Sequence, residues 1–300
     1  MDAESAAQTP LIIVLTVAAM ASISLNIGKA VQKMKVEVLR QGKKVMTAPY
    51  RRDFLIWVIG ISLTFVAGVL TMFAQKMTDK TSIVSSMNGV GLIALTIFAW
   101  LVLRERVGVR ELLSMTLIVC GTIAVSYFNK TVSSENYYNF KAVMICIGAT
   151  LAFFAIAIPV ALKLKKGLAF IFAAFAGCNL AMMNIFYHIA PMAGADESLG
   201  SLLLTPYFII GFLILGNLGF LFTNLAFFHG TGITVVPTVN SFLMIMPMVY
   251  EVPIFKNVLV LPQYMGALII VVGVIILTTA PGHNVAKGEK SDKMTAEAVS

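Results

Sequence analysis

Nine runs of predominantly apolar residues, each about twenty long, leave this chain little choice of fold. They fall at 10–31, 53–75, 82–103, 110–128, 141–163, 167–188, 203–228, 232–255 and 259–280. A helix rising 1.5 Å per residue needs roughly twenty residues to cross ~30 Å of hydrocarbon. Inside lipid, every backbone N–H and C=O has to be satisfied within such a segment. The runs do not alternate apolar with polar residues, which removes an outer-membrane barrel. Only 12% of residues are charged and the mean hydropathy is +0.90, whereas a soluble domain carries about a quarter charged residues. The expected fold is all-α: a polytopic integral membrane helical bundle of about nine transmembrane helices.

Within it, one stretch repeats another. Residues 71–128 lie without a gap on 223–280, an offset of 152. Identities include Thr71/Thr223, Ala74/Ala226, Val84/Val236, Asn88/Asn240, Ile93/Ile245, Val119/Val271, Gly121/Gly273 and Ile123/Ile275. The copies are displaced by five spans, and an odd displacement inverts the second in the membrane. Inverted repeats are typical of secondary transporters, which hold a solute between the halves. The expected organisation is a polar tail 1–9, a first transmembrane repeat 10–128 with a basic loop 32–52, a linker 129–140, a second repeat 141–280 and a disordered tail 281–300.

Charge supports the inversion independently. With the N-terminus outside, seventeen of the twenty-two Lys and Arg fall on the cytoplasmic side, in 29–52, 104–110, 163–166 and the C-terminal tail. Lys76, Lys80, Lys130, Lys141 and Lys256 remain outside. This positive-inside pattern accounts for the net charge of +8 without a nucleic-acid partner. The N-terminus has no basic leader region and positive charge follows the first span, which suits an uncleaved helix entering from outside. A plasma or inner membrane is the expected location, with the C-terminus cytoplasmic.

Catalysis finds no foothold. His188, His229 and His283 are scattered, and Cys120, Cys146 and Cys178 fit neither a zinc site nor a redox pair. Gly230-Thr-Gly232 reads as a tight turn between spans. No enzyme activity, catalytic residue or cofactor is expected.

The polar groups inside the spans are dominated by neutral amides and hydroxyls. Asn88 and Asn240 are the leading substrate-binding candidates, because the repeat pairs them and both lie several residues inside their predicted spans. Asn26, Asn224 and Thr238 join them, and Asn179, Asn184 and Asn217 add further amides. An amide in hydrocarbon either holds a polar solute or bridges two helices. Pro237 lies in the same span as Pro247 and Pro253, where each proline kinks or breaks the helix and frees carbonyls. Lys29 either touches a substrate or snorkels to the headgroups, and Glu105 reads as part of an interfacial anchor, Arg104-Glu105-Arg106. Metal ligation has no clear set of residues; Glu251 enters only for a cation carrier. No Asp, Glu or Arg lies at mid-membrane, which favours a neutral or zwitterionic solute.

Val84-Ser85-Ser86-Met87-Asn88-Gly89, then Leu103-Arg104-Glu105-Arg106-Val107-Gly108, then Gly121 resembles a run of the drug/metabolite transporter superfamily, in its EamA-like and NIPA-type branches. Asn224-Leu225-Ala226 with Val235-Val236-Pro237 is similar to its second half. The resemblance covers about residues 10–280 and implies an inverted-repeat transporter. It departs from the NIPA-type magnesium transporters where their acidic residue is Val69, a neighbouring asparagine is Met72 and a proline is Ser86. Mg²⁺ is usually held through carboxylates, so losing the acidic residue weakens a magnesium assignment. The expectation is alternating-access transport of a small neutral or zwitterionic solute, lined by spans 1, 2, 3, 5, 7 and 8. The alternatives are a divalent-cation carrier and a non-transporting scaffold or partner subunit. The expected partners are a small-molecule or ion substrate and the lipid bilayer, with a homodimer left open.

Overall fold

A computed structural model describes residues 11–77, 87–105, 107–128, 138–192, 206, 209–256 and 259–279. Among them lie α1 (Leu11–Lys35), α2 (Ala48–Lys76), α3 (Asn88–Leu101), α4 (Val109–Tyr127), α5 (Phe140–Leu164), α6 (Leu168–Met192), α7 (Asn217–His229), α8 (Gly232–Phe255) and α9 (Leu261–Thr279). A π-helical stretch, Ile209–Gly216, runs straight into α7. Counting the π-helical stretch together with α7, eight helical stretches among the described residues are long and apolar enough to cross a membrane; α3, at 14 residues, is shorter. The chain is a polytopic helical membrane protein, and the helices follow the nine apolar runs closely.

Two boundaries differ from expectation for physical reasons. The segment 32–52 is not an irregular loop. The first helix continues to Lys35, a 3₁₀ helix spans Val36–Met46 with Val36 and Val38 buried, and α2 begins at Ala48 with proline in its first turn. Proline is favoured there because the helix has no use for that N–H. Lys35 and Asp53 close the connection with an ion pair at 2.7 Å. The second difference is α3, whose described helix starts at Asn88, so Asn88 opens the helix instead of lying well inside it.

The chain forms two compact units. The first contains α1 to α4, residues 231–233 and α9; the second contains α5 to α7 and α8 from Thr234 on. In the first, α1 and α2 pack at the closest range their glycines permit. A Cβ on Gly28 would lie 2.8 Å from the Gly60 carbonyl, and one on Gly60 2.8 Å from the Gln32 nitrogen. Small residues at such crossings let backbones meet, which matters in lipid because no hydrophobic force draws helices together. In the second unit α6 is central: 67% of its apolar window is buried against 11% for α5, most of whose surface faces outward. The core here is aromatic, with Phe154 on Phe175 and Phe175 on Phe222, both at 4.6 Å between ring centres.

Several positions 152 residues apart share local geometry. The ends of α4 and α9 coincide under the offset of 152. Thr71 donates to the Ala67 carbonyl at 2.9 Å, and its counterpart Thr223 to the Gly219 carbonyl at 2.8 Å. Arg104 and Lys256, counterparts again, both adopt the left-handed conformation, with φ 54° and 57°. That region disfavours any residue with a Cβ.

The packing of α4 on α9 is decisive. A Cβ on Gly121 would lie 2.7 Å from the Gly266 carbonyl, and one on Gly273 2.9 Å from the Ser114 carbonyl. Under the offset, 121 maps to 273 and 114 maps to 266, so each contact is the other with its partners exchanged. Ile118 and Ile270, also identical at this offset, take matching places beside Gly273 and Gly121. As numbers rise along α4 from 114 to 121, the facing numbers on α9 fall from 273 to 266. Only an antiparallel pair does this, since a parallel pair would need a shift of seven residues in both directions at once. The contact is self-complementary, as across a two-fold axis. The closing helices of the two repeats therefore run in opposite directions.

Candidate functional site

The first unit carries a polar stripe on one face of α1, built by Ser22, Asn26 and Lys29 at helical spacing, all nearly or fully buried. Asn26 donates to the Ser22 carbonyl at 2.9 Å, and the Gly91 N–H of α3 donates to the Ser22 hydroxyl at 3.1 Å. A Cβ on Gly91 would collide with Ser22 and Asn26, so Gly91 is what lets α3 reach this stripe. On the adjoining face, Gln32 donates to the Thr64 hydroxyl at 2.8 Å and the Gly60 carbonyl at 3.2 Å. Lys29 retains 4% of its surface, so it does not snorkel to the headgroups.

Glu105 does not act as a free interfacial anchor. Its two carboxylate oxygens accept the N–H groups of Gly232 and Ile233 at 2.9 and 3.0 Å. The helix opening there has N–H groups without intrahelical partners and a partial positive charge, so a carboxylate satisfies both needs at once.

The second unit holds a different polar cluster. The Thr150 and Tyr250 hydroxyls are 2.9 Å apart beside a narrow crevice of about 10 Å³, room for roughly one water. Cys178, Asn179, Ile147, Leu151, Met182 and Leu215 complete its lining. Every polar group there is formally neutral. Nearby in sequence, the fully buried Ser241 hydroxyl has no hydrogen-bond partner among the described residues. Leaving a hydroxyl unsatisfied costs roughly 1–3 kcal/mol, so it marks a place where a polar atom would be accepted.

The expected substrate residues divide between the units: Asn26 and Asn88 belong to the first, and Asn224, Pro237, Thr238 and Asn240 to the second. The side chain of Asn88 lies outside the described residues, and Asn240 is half-buried with a bonding partner. Asn224 donates to the Phe220 carbonyl at 2.9 Å, Asn179 to the Phe175 carbonyl at 2.8 Å and Thr238 to the Thr234 carbonyl at 2.7 Å. Each of these side chains gives one donor to its own helix, which lowers the cost of burial. The prolines do not break α8, which is continuous from Gly232 to Phe255; Pro237 is buried within it. Glu251 is half-buried and engaged near the end of α8. Cys178 is buried as a small hydrophobe would be, whereas Cys120 is exposed. Thr150 and Tyr250 were not legible as site residues, because a lone hydroxyl in an apolar run carries no pattern.

Comparison with known proteins returns no match: no family model fits the chain, and no curated protein or solved structure is significantly similar to it.

Proposed function

We propose that the chain is a secondary transporter of the drug/metabolite type, moving a small neutral or zwitterionic solute by alternating access. The observation that carries this reading is the self-complementary antiparallel packing of α4 on α9. It supports two oppositely inserted repeats, the architecture in which one solute site is exposed to each side in turn. The neutral chemistry of Thr150, Asn179 and Tyr250 favours an uncharged or zwitterionic solute. In this reading the N-terminus is outside and the C-terminus cytoplasmic, in a plasma or inner membrane.

The test is a thermal-shift screen of metabolites, Mg²⁺ and Mn²⁺ on the purified protein, followed by uptake of any stabilising solute into proteoliposomes. A neutral or zwitterionic hit is expected. Asn88→Ala and Asn240→Ala should each lower its uptake by roughly tenfold at equal expression, the loss of about one hydrogen bond to substrate. Unchanged uptake would remove those residues from the site. Stabilisation by the divalent cations alone would favour a cation carrier, and stabilisation by nothing in the screen would favour a scaffold.

A further inference from the structure

We propose that the groove at the end of α3 binds the phosphate of an anionic phospholipid headgroup. This site is independent of any transported solute.

The groove is open, offers about 500 Å³ and is lined by Trp100, Arg104, Glu105 and Val107. It lies in the turn joining two apolar helices, and such turns fall at a membrane surface. Trp100 is 63% exposed, and with Val107 it gives the groove an apolar lining. Trp is enriched at that depth because its ring is apolar while its N–H can bond to the headgroup region. Arg104, exposed, also lines the groove, and the planar fork of a guanidinium matches two phosphate oxygens. An apolar lining together with a cation fits a phosphodiester with acyl chains attached better than it fits a free anion.

Glu105 would repel a phosphate if its charge faced the groove unbalanced. Both of its oxygens are engaged by the N–H groups of Gly232 and Ile233, so its charge is balanced by the start of α8 and Arg104 is left without a carboxylate partner among the described residues. Arg104 also holds its guanidinium there from a left-handed backbone, φ 54°, where glycine would be less strained. The counterpart turn in the second repeat has the left-handed cation, Lys256, but Val252 in the place of Trp100 and Asn257 in the place of Glu105. The proposal therefore applies to the Arg104 turn alone.

The test uses full-length protein, delipidated in mild detergent. Phosphatidylglycerol should raise the melting temperature by roughly 5 °C, as expected for a ligand well above its Kd. Phosphatidylcholine and inorganic phosphate should each give less than a quarter of that shift. Arg104→Gly removes the cation while relieving the backbone, so it should fold at least as well as the parent yet lose most of the shift. Trp100→Ala should lose about half, and Lys256→Gly should keep it all. A full shift in Arg104→Gly, an equal loss in Lys256→Gly, an equal response to inorganic phosphate or no response in the parent protein would each overturn the proposal.

Discussion

Gly121→Leu is expected to cost about 3 kcal/mol or more of stability, the upper range for overpacking a tight contact. A single Cβ there already meets the Gly266 carbonyl and the Ile270 side chain at 2.7 Å, and the carbonyl cannot rotate away. A leucine would force α4 and α9 apart along the whole seam. Because the seam is self-complementary, Gly273→Leu should do comparable damage against Ser114 and Ile118. Gly68→Ala is the control: nothing lies within 4 Å of its Cβ, and alanine is the better helix former by about 1 kcal/mol. Thermal unfolding in detergent checks all three. Equal stability of Gly121→Leu and Gly68→Ala would mean that α4 and α9 do not meet at this register.

Removing the Glu105 carboxylate is the second large effect. Hydrogen bonds to a charged group contribute roughly 1.5–3 kcal/mol, and a charge at a helix start adds up to about 1 kcal/mol. Glu105→Ala loses both bonds, to Gly232 and Ile233, and should destabilise the protein by ~2–3 kcal/mol. Glu105→Gln keeps one acceptor oxygen and no charge, so it should fall between the two. Hydrogen exchange localises the effect: the amides of Gly232 and Ile233 should exchange at least tenfold faster in Glu105→Ala, while those of Gly266 and Gly273 change little. Acceleration spread evenly over the chain would show that Glu105 does not cap α8.

How much of this was legible in the sequence depended on whether a residue acts through period or through partners. The nine apolar runs gave the helices because lipid imposes length and polarity on any spanning segment. The offset of 152 pointed to Gly121 and Gly273, and these lie at the α4–α9 contact, since a glycine kept in both copies served one close approach. Single polar residues were harder. Asn26 reads first as a helix bridge and second as a ligand, and only geometry shows it giving a donor to Ser22 beneath Gly91. Glu105 reads as an anchor because its partners, Gly232 and Ile233, are more than a hundred residues away. The prolines of α8 suggested a break, but neighbours can hold a helix through them. Tyr250 and Thr150 meet across exactly the kind of separation, a hundred residues, that no local pattern reports.

The inversion of the two repeats is tested most directly by the sidedness of Arg104 and Lys256, equivalent positions that share a left-handed backbone and an exposed side chain. Single cysteines at each, in a background with Cys120, Cys146 and Cys178 replaced, can be labelled in sealed cells with a membrane-impermeant maleimide. Labelling of Lys256→Cys from outside, with Arg104→Cys reacting only after the membrane is opened, is the predicted result. Reaction of both from the same side would contradict the inverted architecture.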